Sequence, residues 1–170
     1  MNSFEKKIIG HKVSKVIYSE VNDHNSEFYF DGFDSFDHSI NIQMENGFWW
    51  NLGWKSQEYF ELGQGHFTGN KHIPKNEIKS WDATGRWNKI LNSKVSDVKL
   101  YYIDEANHII HKIKIKFENK EVLNIIIAQD LENNGRISYP LEYDFGGVIY
   151  VFHKQELITE QKTTANNGYN

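Results

Sequence analysis

Two stretches of this chain repeat each other. Residues 7–16 read KIIGHKVSKV and residues 89–98 read KILNSKVSDV, identical at six of ten positions with an offset of 82 residues. Farther on, SINIQMENGFWWNL at residues 39–52 matches KIKIKFENKEVLNI at residues 112–125, now offset by 73. Ile40/Ile113, Ile42/Ile115, Glu45/Glu118, Asn46/Asn119 and Asn51/Asn124 are the shared pairs. The order of the blocks is preserved, as in a duplicated supersecondary unit. The fall in offset gives the first copy about nine extra residues between its two blocks.

Each copy reads the same way. A lead-in of one or two helical turns is predicted at residues 4–9 and 85–91. Runs rich in Val, Ile and Tyr follow at 13–21 and 95–103, patterned as strands. Two further runs flank Asn46-Gly47, a strong hairpin signal, and Asn119-Lys120, a weaker one. Read as two-residue turns, these place Met44 opposite Trp49, Ile42 opposite Asn51, Phe117 opposite Val122 and Ile115 opposite Asn124. Trp49 then joins the core face, and Trp50, Leu52 and Trp54 occupy the other. More strands are predicted at 59–62 and 148–152. The expected fold is mainly β: two related halves forming one pseudo-symmetric domain with two short helices. Its expected bounds are 1–158, with copy one at about 4–63, a Gly-rich linker at about 64–80, copy two at about 81–153, and a frayed tail over 159–170.

Composition excludes several classes. The 39% hydrophobic and 15% aromatic content is too high for a disordered chain. No run approaches the roughly 18 apolar residues of a membrane span, and the first residues lack the apolar core of a secretory leader. Zero cysteines exclude disulfides and fit a cytoplasmic protein. No nucleophile elbow, P-loop, dinucleotide fingerprint or HExxH motif is present, so neither enzyme activity nor a cofactor is expected. His66 and His72 fall in the linker, and His108 and His111, three apart on a strand, point to opposite faces. No metal site is expected.

Charge is unevenly placed. The net charge is −4, yet between Val16 and Trp54 there is no Lys or Arg and there are seven acids. Six are Glu20, Asp23, Glu27, Asp31, Asp34 and Asp37, in a stretch threaded with Phe30, Phe33 and Phe36. The every-third spacing of Asp31, Asp34 and Asp37 misses the calcium-loop pattern. A solvated loop and a protein-binding surface both fit. Carboxylates around aromatic anchors suit capture of a basic partner and disfavour nucleic acid. Lys112, Lys114 and Lys116 alternate along one face of copy two, as on a solvent-facing strand.

With this acidic aromatic insertion and no catalytic motif, the chain resembles the small immunity proteins of bacterial toxin–immunity pairs associated with contact-dependent or type VI secretion. WNKILNSKVSDVKLYY at residues 87–102, followed by KIKFENKEVLNI at 114–125, also resembles a pattern recurrent in uncharacterised bacterial proteins. The resemblance implies a non-catalytic module that binds a cognate toxin, possibly basic and nuclease-like, with no nucleic-acid or membrane partner. The expected contact set is Glu20, Asp23, Glu27, Phe30, Asp31, Phe33, Asp34, Phe36 and Asp37. Two alternatives stay open: a carbohydrate or small-ligand domain using Trp50, Trp54 and Trp81, and a hydrolase using a carboxylate pair such as Glu58 and Glu61.

Overall fold

The computed structural model describes residues 3–21, 29–55, 59–104, 106, 109–128, 132–133, 136–137 and 147–154. The elements of copy one are α1 (Glu5–Ile8), β1 (Val13–Val21), β2 (Phe33–Phe36), β3 (Ser39–Met44), β4 (Trp49–Trp54) and β5 (Phe60–Gln64). A 3-10 turn (Lys75–Glu77) and β6 (Ile78–Asp82) lead to a second 3-10 turn (Thr84–Trp87). Then come β7 (Val95–Asp104), β8 (Ile109–Phe117), β9 (Val122–Ala128), the short ribbon β10 (Glu132–Asn133) and β11 (Arg136–Ile137), and β12 (Val148–Phe152). The protein is mainly β with very little helix.

Two five-stranded sheets carry the fold, ordered β5-β4-β3-β1-β6 and β2-β12-β9-β8-β7, with antiparallel pairing throughout. Strands β5-β4-β3-β1 repeat as β12-β9-β8-β7, so the sequence repeat is also a repeat of topology. The equivalence extends to single hydrogen bonds. Glu45 N donates to Lys12 O at 2.8 Å, and Glu118 N donates to Lys94 O at 2.9 Å. Asn46 Nδ2 donates to Lys7 O at 3.1 Å, and Asn119 Nδ2 donates to Lys89 O at 2.9 Å. Both first strands break register at the same place, between Val13 and Lys15 and between Val95 and Asp97. Lys12 and Lys94, equivalent residues, bridge each other across the join between the halves.

The hairpin register differs from the two-residue reading. Met44 N donates to Phe48 O, and Gln43 pairs with Trp49, Ile42 with Trp50 and Ile40 with Leu52. In copy two Phe117 N donates to Glu121 O, and Ile115 pairs with Leu123. Each loop thus holds three residues and ends on a single left-handed position, Gly47 (φ 82) or Lys120 (φ 72). A two-residue type I′ turn needs two such positions, whereas a type I turn closed by one left-handed residue needs one. The shift of one residue reverses the faces of the return strand. Trp50 and Leu52 therefore lie in the core, and Trp49 is half-buried on the far side beside His66. Trp54 is half-buried against the core.

One apolar cluster draws on both sheets, including Val16, Ile40, Ile42, Trp50 and Leu52 from the first and Val98, Ile113, Ile115, Leu123 and Ile125 from the second. Such burial contributes about 1.5–3 kcal/mol for each large side chain. On the opposite face of the second sheet, Phe33, Ile126, Ala128, Tyr150 and Phe152 form a smaller buried cluster. Lys112, Lys114 and Lys116 share that face farther out.

Two strands of the five-stranded sheets lie outside the repeat. β6 falls at the end of the predicted linker and pairs with β1, and Asn41 and Asn51 hold the rest of that segment through Phe67 and Gly65. β2 comes from the extra residues of copy one, yet it pairs with β12 in the sheet of copy two. The insertion is a strap that ties one half to the other.

His38 follows β2 and is fully buried. Its ring lies parallel to Phe67 at 5.5 Å, Nδ1 bonds Ser39 Oγ at 3.0 Å, and Nε2 has no partner among the described residues. Burial pushes its pKa from 6.5 down to about 4. Between those values the unfolded chain takes up a proton that the folded chain refuses, so stability falls as the pH drops through that window. A slope of up to about 1.4 kcal/mol per pH unit is expected, summing to roughly 3 kcal/mol. Urea melts of wild type and His38→Leu at pH 7, 5.5 and 4.5 test this. An unchanged slope in the variant would assign the acid sensitivity elsewhere.

Candidate functional site

β2 alternates its side chains between the two faces of the sheet, as any strand does. Phe33 turns outward to the smaller cluster, while Asp34 and Phe36 turn inward. Asp34 is fully buried and has four donors. Arg86 approaches Oδ1 with Nε at 2.8 Å and Nη2 at 2.6 Å. Tyr18 donates its hydroxyl to Oδ2 at 2.8 Å, and His153 Nε2 meets the same oxygen at 2.7 Å. A carboxylate only accepts, so the imidazole presents Nε2–H. Behind this layer Trp87 Nε1 donates to Tyr18 Oη at 2.8 Å. Burial and the neighbouring Asp34 push the Tyr18 hydroxyl well above its ordinary pKa, which keeps it a donor.

This network joins β1, β2, the Thr84–Trp87 turn and the end of β12. It also fixes Arg86 at the surface. The guanidinium gives a further bond to Phe30 O at 3.0 Å and stacks on the Tyr29 ring at 4.6 Å. Tyr29 is exposed and accepts from Trp81 Nε1 at 2.9 Å. Lys154 pairs with Asp31 at 2.6 Å and holds that carboxyl below its usual range. Arg86, His153 and Lys154 then border a cavity of about 220 Å³. Gly32, Gly85, Trp87, Lys89, Ile90, Glu121 and Leu123 also line it.

The fold splits the predicted contact set. Phe33, Phe36 and Asp34 are interior, which corrects the expectation that they protrude. Glu20 is buried and accepts from Asp37 N, and Asp37 accepts from Val21 N, both at 2.8 Å. These two acids tie together the C-terminal ends of β1 and β2. Phe30 is half-buried, stacked on Phe33 at 4.6 Å, and Asp31 is exposed. Asp23 and Glu27 lie outside the described residues. The physical reason is the strap: an edge strand covered on both faces buries its rings on either side, and its inward acid needs a cation.

The three tryptophans of the ligand-binding alternative do not form one exposed platform. Trp50 is interior, and Trp54 and Trp81 pack against the core. Of the acid pair, Glu61 is half-buried on β5 and Glu58 lies outside the described residues. Among the described residues, no three His, Asp or Glu side chains gather as metal ligands, and no helix is long and apolar enough to cross a membrane. Sequence reasoning missed Arg86, Tyr18, Trp87 and His153 as one unit. Their separation of up to 135 residues along the chain leaves no local pattern.

No protein-family model, curated protein or solved structure matches this chain. Its class is defined by the fold alone: an antiparallel two-sheet β protein of related halves, strapped by a strand whose buried aspartate organises a surface arginine beside a cavity.

Proposed function

We propose that the chain is a non-catalytic protein-binding module of the immunity type, which captures a cognate toxin at the face around Tyr29 and Arg86. The observation that carries this reading is the preorganisation of that face. Arg86 is clamped by a buried carboxylate and laid against an exposed tyrosine, next to a concavity that admits a partner side chain. Tyrosine and arginine beside a pocket are the residue types in which binding energy concentrates, and a fixed rotamer lowers the entropy lost on docking. Asp31 is the exposed acid of the expected contact set among the described residues, so steering toward a basic toxin is a minor part of the reading.

The reading requires a toxin domain encoded beside the gene; its absence would refute the proposal, and its presence allows titration calorimetry against that domain, together with protection of cells that express it. A complex is expected, weakened roughly 30-fold, or about 2 kcal/mol, by Tyr29→Ala. Tyr29 is exposed, so the variant retains its fold. Equal affinity of variant and wild type, or no complex at all, would refute the proposal.

A further inference from the structure

The cavity has a counterpart in the other half of the molecule, and there it is closed. By the two offsets of the repeat, Phe4 corresponds to Arg86, Lys7 to Lys89, Phe48 to Glu121 and Trp50 to Leu123. The pairing of β5 with β4 and of β12 with β9 sets Gln64 opposite Trp50, the place that His153 takes in copy two. In copy one Phe4 packs edge-on against Trp50 at 5.5 Å. Lys7 lies over the Phe48 ring at 4.9 Å and donates to Gln64 Oε1 at 2.8 Å. Every group there has a neighbour.

In copy two the three rings are absent and the lysine is retained. Gln64 gives way to His153, which is bound to Asp34. Among the described residues the Lys89 ammonium has no hydrogen-bond or ion-pair partner. Arg86 and Lys154, on the same rim, are countered by Asp34 and Asp31. The walls include Trp87, Ile90 and Leu123, which are apolar, and Glu121 is the acid among the described lining residues. A space of about 220 Å³ exceeds the roughly 150 Å³ of a cavity that takes up benzene.

We infer that this cavity is a socket for a carboxylate on an apolar stem, an aspartate or glutamate side chain of the protein partner, with Lys89 as its counter-ion. This rests on the protein-binding reading, because it names the group that the partner inserts. Lys89 supplies a charge-assisted hydrogen bond, and the Arg86 edge and the Lys154 ammonium lie on the same rim. The apolar wall receives the stem. Glu121 on that rim disfavours a second negative charge, so a monoanion suits the socket better than phosphate.

The test needs no partner. Benzoate, benzamide and inorganic phosphate are titrated into the full chain, and the amide resonances of Gly85, Arg86 and Leu123 are followed by NMR. Benzoate is expected to give saturable shifts at these residues, with benzamide and phosphate each at least tenfold weaker. Lys89→Gln should weaken benzoate about tenfold, a loss of roughly 1.4 kcal/mol. Glu121→Gln should tighten it severalfold. Leu123→Trp, which supplies the ring that copy one carries, should abolish the shifts; Lys89→Gln, at an exposed site, keeps the test open if that variant fails to fold. Absence of saturation, equal binding of benzamide or phosphate, or indifference to Lys89→Gln would overturn the socket even where the toxin complex forms. A Lys89-dependent benzoate shift where no complex forms would keep the carboxylate site and overturn a partner side chain as its occupant, so the two tests fail separately.

Discussion

Replacement of Asp34 by alanine is expected to destabilise the fold by about 3–5 kcal/mol, the range found when one member of a buried ion pair is removed. The carboxylate takes two hydrogen bonds from Arg86, one from Tyr18 and one from His153. Its loss leaves the half-buried guanidinium without its counter-charge and the fully buried Tyr18 hydroxyl without an acceptor. Domains of this size are stable by only about 5–15 kcal/mol, so a large share of the total is at stake. Asp34→Asn keeps the shape but turns an amide NH₂ toward donors on one side, and a smaller loss of about 2–3 kcal/mol is expected. Asp34→Leu combined with Arg86→Met removes both charges and should recover most of the loss. Urea denaturation followed by circular dichroism decides this. An alanine variant within 1 kcal/mol of wild type would mean that the network orders the surface without holding the halves together.

The parts of the fold legible in the sequence are those carried by local alternation. Residues 13–21 match β1 to the residue, and residues 95–103 stop one short of the end of β7, because Val, Ile and Tyr recur at strand spacing. The register was misread at Asn46-Gly47, which fits a two-residue turn when seen alone. Its counterpart Asn119-Lys120 carries the better signal, since a type I′ turn would force lysine and asparagine both into the left-handed region. The burial of Phe33, Asp34 and Phe36 within the acidic insertion is not legible, because a charge run does not show which of its side chains a neighbouring strand will cover. Nothing near Asp34 in the chain announces Arg86, which lies 52 residues away and folds over it from the other half. The cavity is legible only as a mismatch, at positions where a repeat of preserved topology exchanges Phe4, Phe48 and Trp50 for Arg86, Glu121 and Leu123.

That mismatch leads to the second large effect. Trp50→Leu, which gives copy one the residue of copy two, is expected to destabilise the protein by about 2–4 kcal/mol. Trp50 is almost wholly buried, and Phe4 rests edge-on against it. Leucine leaves a void and takes away that ring contact, worth about 0.5–1.5 kcal/mol on its own. One term acts the other way: among the described residues the Trp50 Nε1–H has no acceptor, and its removal relieves a buried unsatisfied donor. Trp50→Phe separates the two, since it keeps a ring for Phe4 and deletes the donor; a loss of no more than about 1.5 kcal/mol is expected. The same exchange in the other direction, Leu123→Trp, fills space that is already open and should leave stability within about 1 kcal/mol of wild type. Thermal melts of the three variants measure the asymmetry. If Trp50→Leu and Leu123→Trp changed stability by the same amount, the two halves would be equally packed at these positions, and the opening in copy two would be a property of both copies rather than a specialised one.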